Sequence, residues 1–392
     1  MDATSPIALL AVERDDYLPL NAATVNILTN IMGMMTSRNR CEEIAASQLS
    51  LKLMNAPNLE SRGGTPVQPN PGNNLTDLRK QGEMAKEIMD RVIPEGLRAL
   101  NIDPGATINV ERAGKEMKSF RVFTGAPLKT EDSCSRKIKN DYKGDHSKVC
   151  DIARCSIVVE AEEELARLLA AILSGSIPGI ELVRLKNRFA NPMFTGIRDC
   201  LMNIGITCAD EAKHVGEVQL HFAPILAMKG ECHVYYEFFR EMFAGTDESY
   251  KKRLEMFEKL VVDREGEDIE LLVRGIVEGG DKERLDALAA ISESGVLGDA
   301  HLRVVAYKRL AAIALGESGE DSEVFLKYFC CVGDSYGSKG EYDNAEEVLD
   351  RCIKKCESYL GGGNEITLEA MQGRAVVCNH KGDHDKALEL FK

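Results

Sequence analysis

The chain has 392 residues, 44% of them hydrophobic and 29% charged, with a formal net charge of −14. That length holds two or three domains, each able to bury a core, and the composition is that of a globular protein. The acidic balance excludes broad non-specific attachment to nucleic acid or an anionic membrane, so any polyanion would need a local basic patch.

No run of eighteen or more apolar residues exists, and a membrane-spanning helix is not expected. The short apolar run at residues 7–12 is followed at once by acidic residues and preceded by no basic segment, unlike a secretory leader. Twelve cysteines are scattered without a regular framework, several in apolar contexts such as Cys155, Cys200, Cys330 and Cys331. They read as reduced core residues, and a cytoplasmic location is expected.

In chain order, Val25, Ile27, Leu28, Ile31, Met34 and Met35 recur near the helical period, and a second helix is expected over Glu42–Met54. Residues 1–55 therefore read as a helical N-terminal segment. Residues 56–74, rich in Pro, Gly and Asn, read as a flexible linker. A helix is expected from Leu75 to Leu100, capped by Asn74 or Thr76 and stopped by Asp103-Pro104-Gly105. Residues 112–148 carry ten Lys/Arg against five Asp/Glu, the strongly basic block of an acidic chain. Its bland account is a solvated helix face.

Asp151–Glu160 reads as a central strand and Glu162–Leu173 as a helix with Leu165, Leu168, Leu169 and Ile172 inward. Strands follow at Ile180–Lys186, Arg198–Ile206 and His214–Phe222, the last two joined as a hairpin. In the final strand Glu217, Gln219 and His221 share one face, opposite Val218, Leu220 and Phe222. A long helix begins near Pro224. Residues 75–245 thus read as an α+β domain, a mixed or antiparallel sheet with flanking helices.

Residues 246–320 read as all helix, with the helix–Gly–helix cadence of an armadillo- or HEAT-like repeat. In residues 321–392 two segments align at an offset of 42: Gly340 with Gly382, Asp343 with Asp385, Ala345 with Ala387, Leu349 with Phe391. From about residue 325 onward this pattern resembles tetratricopeptide repeats of the kinesin-light-chain type, an all-α helical-repeat domain, which implies a protein partner.

The chemistry concentrates on two carboxylates, Asp151 and Glu217, placed on neighbouring expected strands behind the basic block. Hard oxygen ligands of that kind suit Mg2+, and Glu217 could also accept a proton from an attacking hydroxyl. Lys129, Arg136 and Lys137, and further on Arg184, Lys186, Arg188 and Arg198, are cations that could offset the charge of bound phosphates. His214, His221, His233, Cys208 and Cys232 lie close in sequence, but their spacing fits no zinc pattern, and they read as ordinary core or surface residues. Gly361-Gly362-Gly363 lacks the strand and Gly-Lys-Ser/Thr of a phosphate loop and reads as an inter-helix loop.

Over about residues 110–243 the motif order resembles the synthetase domain of the RelA/SpoT family, a nucleotidyltransferase-like fold that makes guanosine tetra- and pentaphosphate. The motif Lys-x-x-x-Ser-Ile-x-x-Lys is matched by Lys129, Ser133 and Lys137, with Cys134 in the Ile place. Asp151 matches the magnesium-binding Asp, and Glu217-Val218-Gln219-Leu220-His221 matches the Glu-x-Gln-Ile-Arg strand. The resemblance implies ATP and a second nucleotide as substrates, Mg2+ as cofactor, Asp151 and Glu217 as metal-binding and catalytic residues, and Ser133, Arg154, Gln219 and His221 among the nucleotide-binding residues. Departures fall on the acceptor side: Ile197 stands for the guanine-stacking Tyr, Ser156 for an Arg, and His221 for the Arg of the last motif. The family's His-Asp hydrolase motif is absent, since His384-Asp385 lies in the repeat. Two readings follow. One is a pyrophosphoryl- or nucleotidyltransferase with an altered acceptor site and a protein-interaction repeat domain. The other is an inactive nucleotide-binding sensor domain in a repeat scaffold.

Overall fold

The computed structural model describes residues 9–50, 66–112, 116–208, 211–242, 256–260, 268–292 and 298–390. The chain forms two compact units: residues 36–236, and residues 1–35 together with 237–392.

The first helix, α1 (Ala22–Gln48), is continuous where the sequence suggested two. No Gly or Pro interrupts residues 35–42, and Arg38 pairs with Glu42 one turn on at 3.1 Å, which carries the helix through. The end of the second expected helix, beyond residue 50, lies outside the described residues, as does the first part of the expected linker. The rest of that linker is fixed. The Gln68 side chain is buried, donates to the Val149 and Val215 carbonyls at 2.9 and 2.8 Å, and accepts from the Val215 N–H at 2.8 Å. A glutamine that satisfies three backbone groups makes this stretch part of the domain wall rather than a free tether.

In the 36–236 unit, α2 (Leu75–Ala99) is capped by Asn74, whose side chain accepts from the Asp77 N–H. A hairpin of β1 (Thr107–Arg112) and β2 (Glu116–Arg121) follows, then the short β3 (Phe123–Gly125) and α3 (Glu131–Asn140). The basic block is therefore two strands and a helix, not one helical face. Next come β4 (Arg154–Val159), α4 (Glu162–Leu173), β5 (Ile180–Asn187), β6 (Asp199–Thr207), β7 (Lys213–Phe222) and α5 (Ala223–Met242).

The main sheet is ordered β3-β4-β7-β6-β5, with β4 parallel to β7 and every other pair antiparallel. This is the mixed sheet with flanking helices expected from the sequence. Val218, Leu220 and Phe222 of β7 enter a core shared with Leu165, Leu168 and Ile172 of α4 and with Met89 and Ile93 of α2. Gly216 sits where a Cβ would lie 2.9 Å from the Met89 sulfur and 3.0 Å from the Ala153 carbonyl, so only glycine lets α2 and β4 approach β7 there.

The other unit is helical. It contains α6 (Ile269–Gly279), α7 (Lys282–Ile291), α8 (Ala300–Ser318), α9 (Glu323–Lys339), α10 (Tyr342–Tyr359), α11 (Glu365–His380) and α12 (His384–Leu390). Gly340 and Gly382 both adopt positive φ, at 85° and 83°, each between the two helices of a hairpin, and Ala345 and Ala387 are buried at equivalent places. The 42-residue offset is thus a structural repeat. Gly333 of α9 meets Leu349 of α10 so closely that a Cβ would lie 2.5 Å from its Cγ. The N-terminal residues belong here too. Leu10 joins the repeat core, Tyr17 donates to Glu278, and Asn21 and Thr24 both donate to Asp299.

Candidate functional site

Asp151 lies three residues before β4, on the loop that enters it, and not on the strand itself. Its main-chain position is nonetheless tied to the sheet. Two residues on, the Ala153 carbonyl accepts the Glu217 N–H at 2.9 Å, and Arg154 is the parallel register partner of Glu217. One backbone bond between neighbouring parallel strands thus brings the two carboxylates to the same end of the sheet.

Both carboxylates line a cavity of about 290 Å³ with Lys137, Lys148, Arg184 and Lys186. Four cationic side chains against two carboxylates make this a basic site in an acidic protein. Tyr142, Asn203 and Cys150 complete much of its wall. Asn203 is the register partner of Glu217 on β6, which explains its place.

Asp151 is buried. Its Oδ2 accepts from Lys129 Nζ at 2.6 Å and from Lys137 Nζ at 2.9 Å, while Oδ1 is buried with no hydrogen-bond partner. Burial alone would raise its pKa, but the charges and hydrogen bonds of Lys137 and Lys129 outweigh that and hold it below the usual carboxylate value. Burial likewise opposes the charge on Lys137, and Asp151 reverses the effect, so Lys137 stays cationic. Glu217 behaves in the opposite way. Desolvation raises its pKa and the negative charge of Asp151 adds to this, against a 2.8 Å hydrogen bond from Gln219 that favours the ionised form. Two carboxylates in one cavity with opposite shifts are the arrangement expected where one is a fixed anion and the other exchanges a proton.

The remaining sequence candidates separate into groups. Ser133 accepts from Thr130 within the N-terminal cap of α3, and Arg136 is exposed on that helix. Arg184 and Lys186 face the cavity from β5. Gln219 orients Glu217 and accepts from Lys229 at 3.5 Å. Arg154 is half-buried at the start of β4 with its Nε unpartnered, outside the cavity lining.

Arg188, Arg198 and His221 are not brought to the cavity. Arg188 pairs with Asp199 at 3.2 Å, and Arg198 donates to the Phe189 carbonyl. His221 is buried 3.7 Å from Asp199 and neutral, because burial, helped by Lys229 and Arg188, pushes its pKa down to about 3. Ile197 is a core residue, and Gly196 before it adopts a φ of 82° against the backbone of α1, where a Cβ would lie 2.8 Å from the Arg38 Cα.

Tyr142 and Lys148 are cavity residues the motifs did not single out. The Tyr142 ring lies 5.5 Å from Lys137 Nζ, so an aromatic face does border the site, supplied by the loop after α3. Among the described residues no group of three or more His, Cys, Asp or Glu side chains could hold a metal. Cys232 lies 4.0 Å from Cys41, and His233 stacks on Tyr236.

Comparison with known proteins adds the following. Residues 325–392 match the family model for the tetratricopeptide repeat. No curated protein matches the chain. Among solved structures the chain is similar to the small alarmone synthetase 2 from Bacillus subtilis, at 14% identity and a TM-score of 0.33, over 52% of this chain and 98% of that one. It is similar to a GTP pyrophosphokinase family protein from Streptococcus pneumoniae, at 14% identity and a TM-score of 0.29, over 45% and 80% of the two chains. A third match is the small alarmone synthetase 1 from Bacillus subtilis bound to its product pppGpp, at 14% identity and 0.29, over 46% and 85%. No described helix is long and apolar enough to cross a membrane.

Proposed function

We propose that residues 36–236 form a nucleotide-handling domain of the alarmone-synthetase type, which transfers a pyrophosphoryl group from ATP to a second nucleotide, with an acceptor side of its own. The observation that carries this reading is Asp151: buried, clamped by two lysines on one oxygen, free on the other, and sharing a basic cavity with a carboxylate of raised pKa.

These residues fit magnesium. A small hard cation takes one or two carboxylates and completes its shell with phosphate oxygens and water, which needs no three-residue protein cage. Asp151 through its unpartnered Oδ1, and Glu217, would hold it. When bound, it would neutralise charge on the transferring phosphates. Lys129 and Lys137 would bind the triphosphate, and Arg184, Lys186 and Lys148 the acceptor's phosphates. An acceptor hydroxyl oxygen would attack the β-phosphorus, the bond from that phosphorus to the α-side bridging oxygen would break, and AMP would leave. Glu217 would take the hydroxyl proton.

The proposal of an acceptor side of its own is supported by the placement of four residues. Arg188, Arg198 and His221 are committed to Asp199 or the Phe189 carbonyl, and Ile197 is in the core. An acceptor would therefore be held by β5 cations and the Tyr142 ring. The same facts favour a second reading, a nucleotide sensor that binds ATP without turnover. In either case the tetratricopeptide repeats would recruit a protein partner.

The test is incubation with labelled ATP, magnesium and, separately, GDP, GTP and other nucleotides, beside an Asp151→Asn control. Transfer to one acceptor that the control lacks supports the enzyme. ATP binding without product from any acceptor supports the sensor and removes the enzyme reading.

A further inference from the structure

The loop that carries Asp151 is tied to β7 at both of its ends. At the end that enters β4, the Ala153 carbonyl accepts the Glu217 N–H at 2.9 Å. At the other end the tie is a side chain. Gln68 Nε2 donates to the Val149 carbonyl at 2.9 Å and to the Val215 carbonyl at 2.8 Å, and its Oε1 accepts the Val215 N–H at 2.8 Å. The four steps from Val149 to Ala153 are thus set against the two from Val215 to Glu217. Extended chain rises equally per residue, so the longer side must arch, and it bends at Ile152 and Ala153. Asp151 is the crown of that arch. Val149 and Ile152 are fully buried in a cluster with Leu78 and Cys134, while the Asp151 side chain lines the cavity.

A carboxamide of this length suits all three main-chain groups at the near foot. Its NH2 gives two donors and its oxygen an acceptor, on one flat group. Glutamate would still accept from Val215 but would set a carboxylate against two carbonyls, and asparagine is a methylene short. Gln68 is 3% exposed, so losing it leaves buried main-chain groups unpaired. Its own segment is fastened beside it. The Gln68 N–H donates to the Ser147 carbonyl at 2.7 Å, and Asn70 Oδ1 accepts the Lys213 N–H at 3.0 Å. Cys150 Sγ donates to the Pro66 carbonyl at 3.3 Å, and both of these residues line the Asp151 cavity. Asn203 of β6 steadies the same loop through the Cys150 carbonyl at 3.5 Å, but does not join it to β7.

We propose that Gln68 is a positioning residue for the two carboxylates. It fixes the near foot of the arch that presents Asp151, and with it the gap across which Asp151 and Glu217 face one ligand. Its effect on catalysis rests on the transfer reading above; its effect on the arch does not.

The experiment compares the full chain with Gln68→Met, which keeps the length of the side chain and removes all three hydrogen bonds. Amide hydrogen exchange, followed residue by residue by NMR, is expected to speed up roughly tenfold or more at Glu217, to which Gln68 makes no bond. Leu220, further along β7, is expected to keep its rate. On the transfer reading kcat falls by about 10- to 100-fold with the KM for ATP little changed, because the triphosphate lysines stand on α3 and its lead-in. Asn70→Ala, which cuts the neighbouring tie to Lys213, is expected to alter neither Glu217 exchange nor kcat.

Acceleration at Val215 alone overturns the proposal, since Gln68 would then be a local plug. Equal acceleration at Glu217 and Leu220 overturns it as well, since Gln68 would then serve the whole fold. So does an Asn70→Ala variant that behaves like Gln68→Met, or a faster Glu217 exchange with kcat untouched. A parent chain that transfers to no acceptor removes the transfer reading, and the exchange rates then decide the role of Gln68 by themselves. If Gln68→Met does not fold, Gln68→Glu, which keeps the bond from the Val215 N–H and loses both donors, is read in the same way.

Discussion

Lys129 Nζ lies 2.6 Å from Asp151 Oδ2, a charge-assisted bond between the residue that leads into α3 and the loop that leads into β4. Replacing Asp151 by Asn leaves Lys129 and Lys137 facing each other without a counter-charge. On the proposed transfer reading, activity is expected to fall by at least ~100-fold, and on any reading stability at neutral pH by about 1–3 kcal/mol, less than for a fully buried pair because both lysines keep some solvent. Since Asp151 is depressed below its ordinary value, its contribution is present above that value and lost as pH falls through the folded one. Urea unfolding of the two proteins should therefore differ at pH 7 and converge only as pH falls below the ordinary carboxylate value.

Glu217 carries the opposite sign. Its raised pKa means that the fold favours the protonated acid, so the favourable term is present below the ordinary glutamate value and disappears as pH climbs through the raised one. Glu217→Gln is expected to unfold no more easily than the parent at pH 8, and at higher denaturant if the desolvation cost dominates. The same variant should lose the rising acid limb of the rate profile, because there is no longer a base to ionise. On the proposed transfer reading, a Glu217→Gln variant with an unchanged limb would remove Glu217 as the base.

Two histidines of β7 set the acid limit of the sheet. His214 is fully buried with both ring nitrogens unpartnered, and burial pushes its pKa down to about 4. The unfolded chain takes up a proton near pH 6.5 that the folded one refuses, so stability drains away between about pH 6.5 and 4, by about 3 kcal/mol for this residue. His214→Leu should flatten that decline in urea titrations at successive pH values. His221, with its pKa at about 3, should continue the loss to lower pH.

Gly333→Ala tests the repeat. A methyl group there would press on Leu349, and a loss of about 1–3 kcal/mol is expected in thermal unfolding. Gly230→Ala, where no atom lies within 4 Å of the new methyl, should not destabilise the protein and serves as the control.

What the sequence made legible follows from how strongly each segment repeats its own signal. Val218, Leu220 and Phe222 alternate cleanly, and the structure sets them in the core as expected. Gly340 and Gly382 mark their turns because only a residue free to take positive φ fits there. The β1–β2 hairpin was hidden, since Glu111, Arg112, Glu116 and Lys118 mask the period-two pattern in a two-stranded sheet with little core to declare it. Arg188, Arg198 and His221 were credited to the cavity because charge type is visible in a sequence, whereas their partners Asp199 and the Phe189 carbonyl are tertiary facts. Tyr142 and Lys148 were passed over for the converse reason: the loop after α3 has no periodicity to say which way it turns.

The bond from the Glu217 N–H to the Ala153 carbonyl is made by main chain alone. The backbone positions from which the two carboxylates spring are therefore set by the pairing of β4 with β7 and not by the side chains of β5. On the proposed reading, substitutions at Arg184, Lys186 or Tyr142 are expected to change which molecule the cavity takes while leaving the backbone under the acidic pair unmoved.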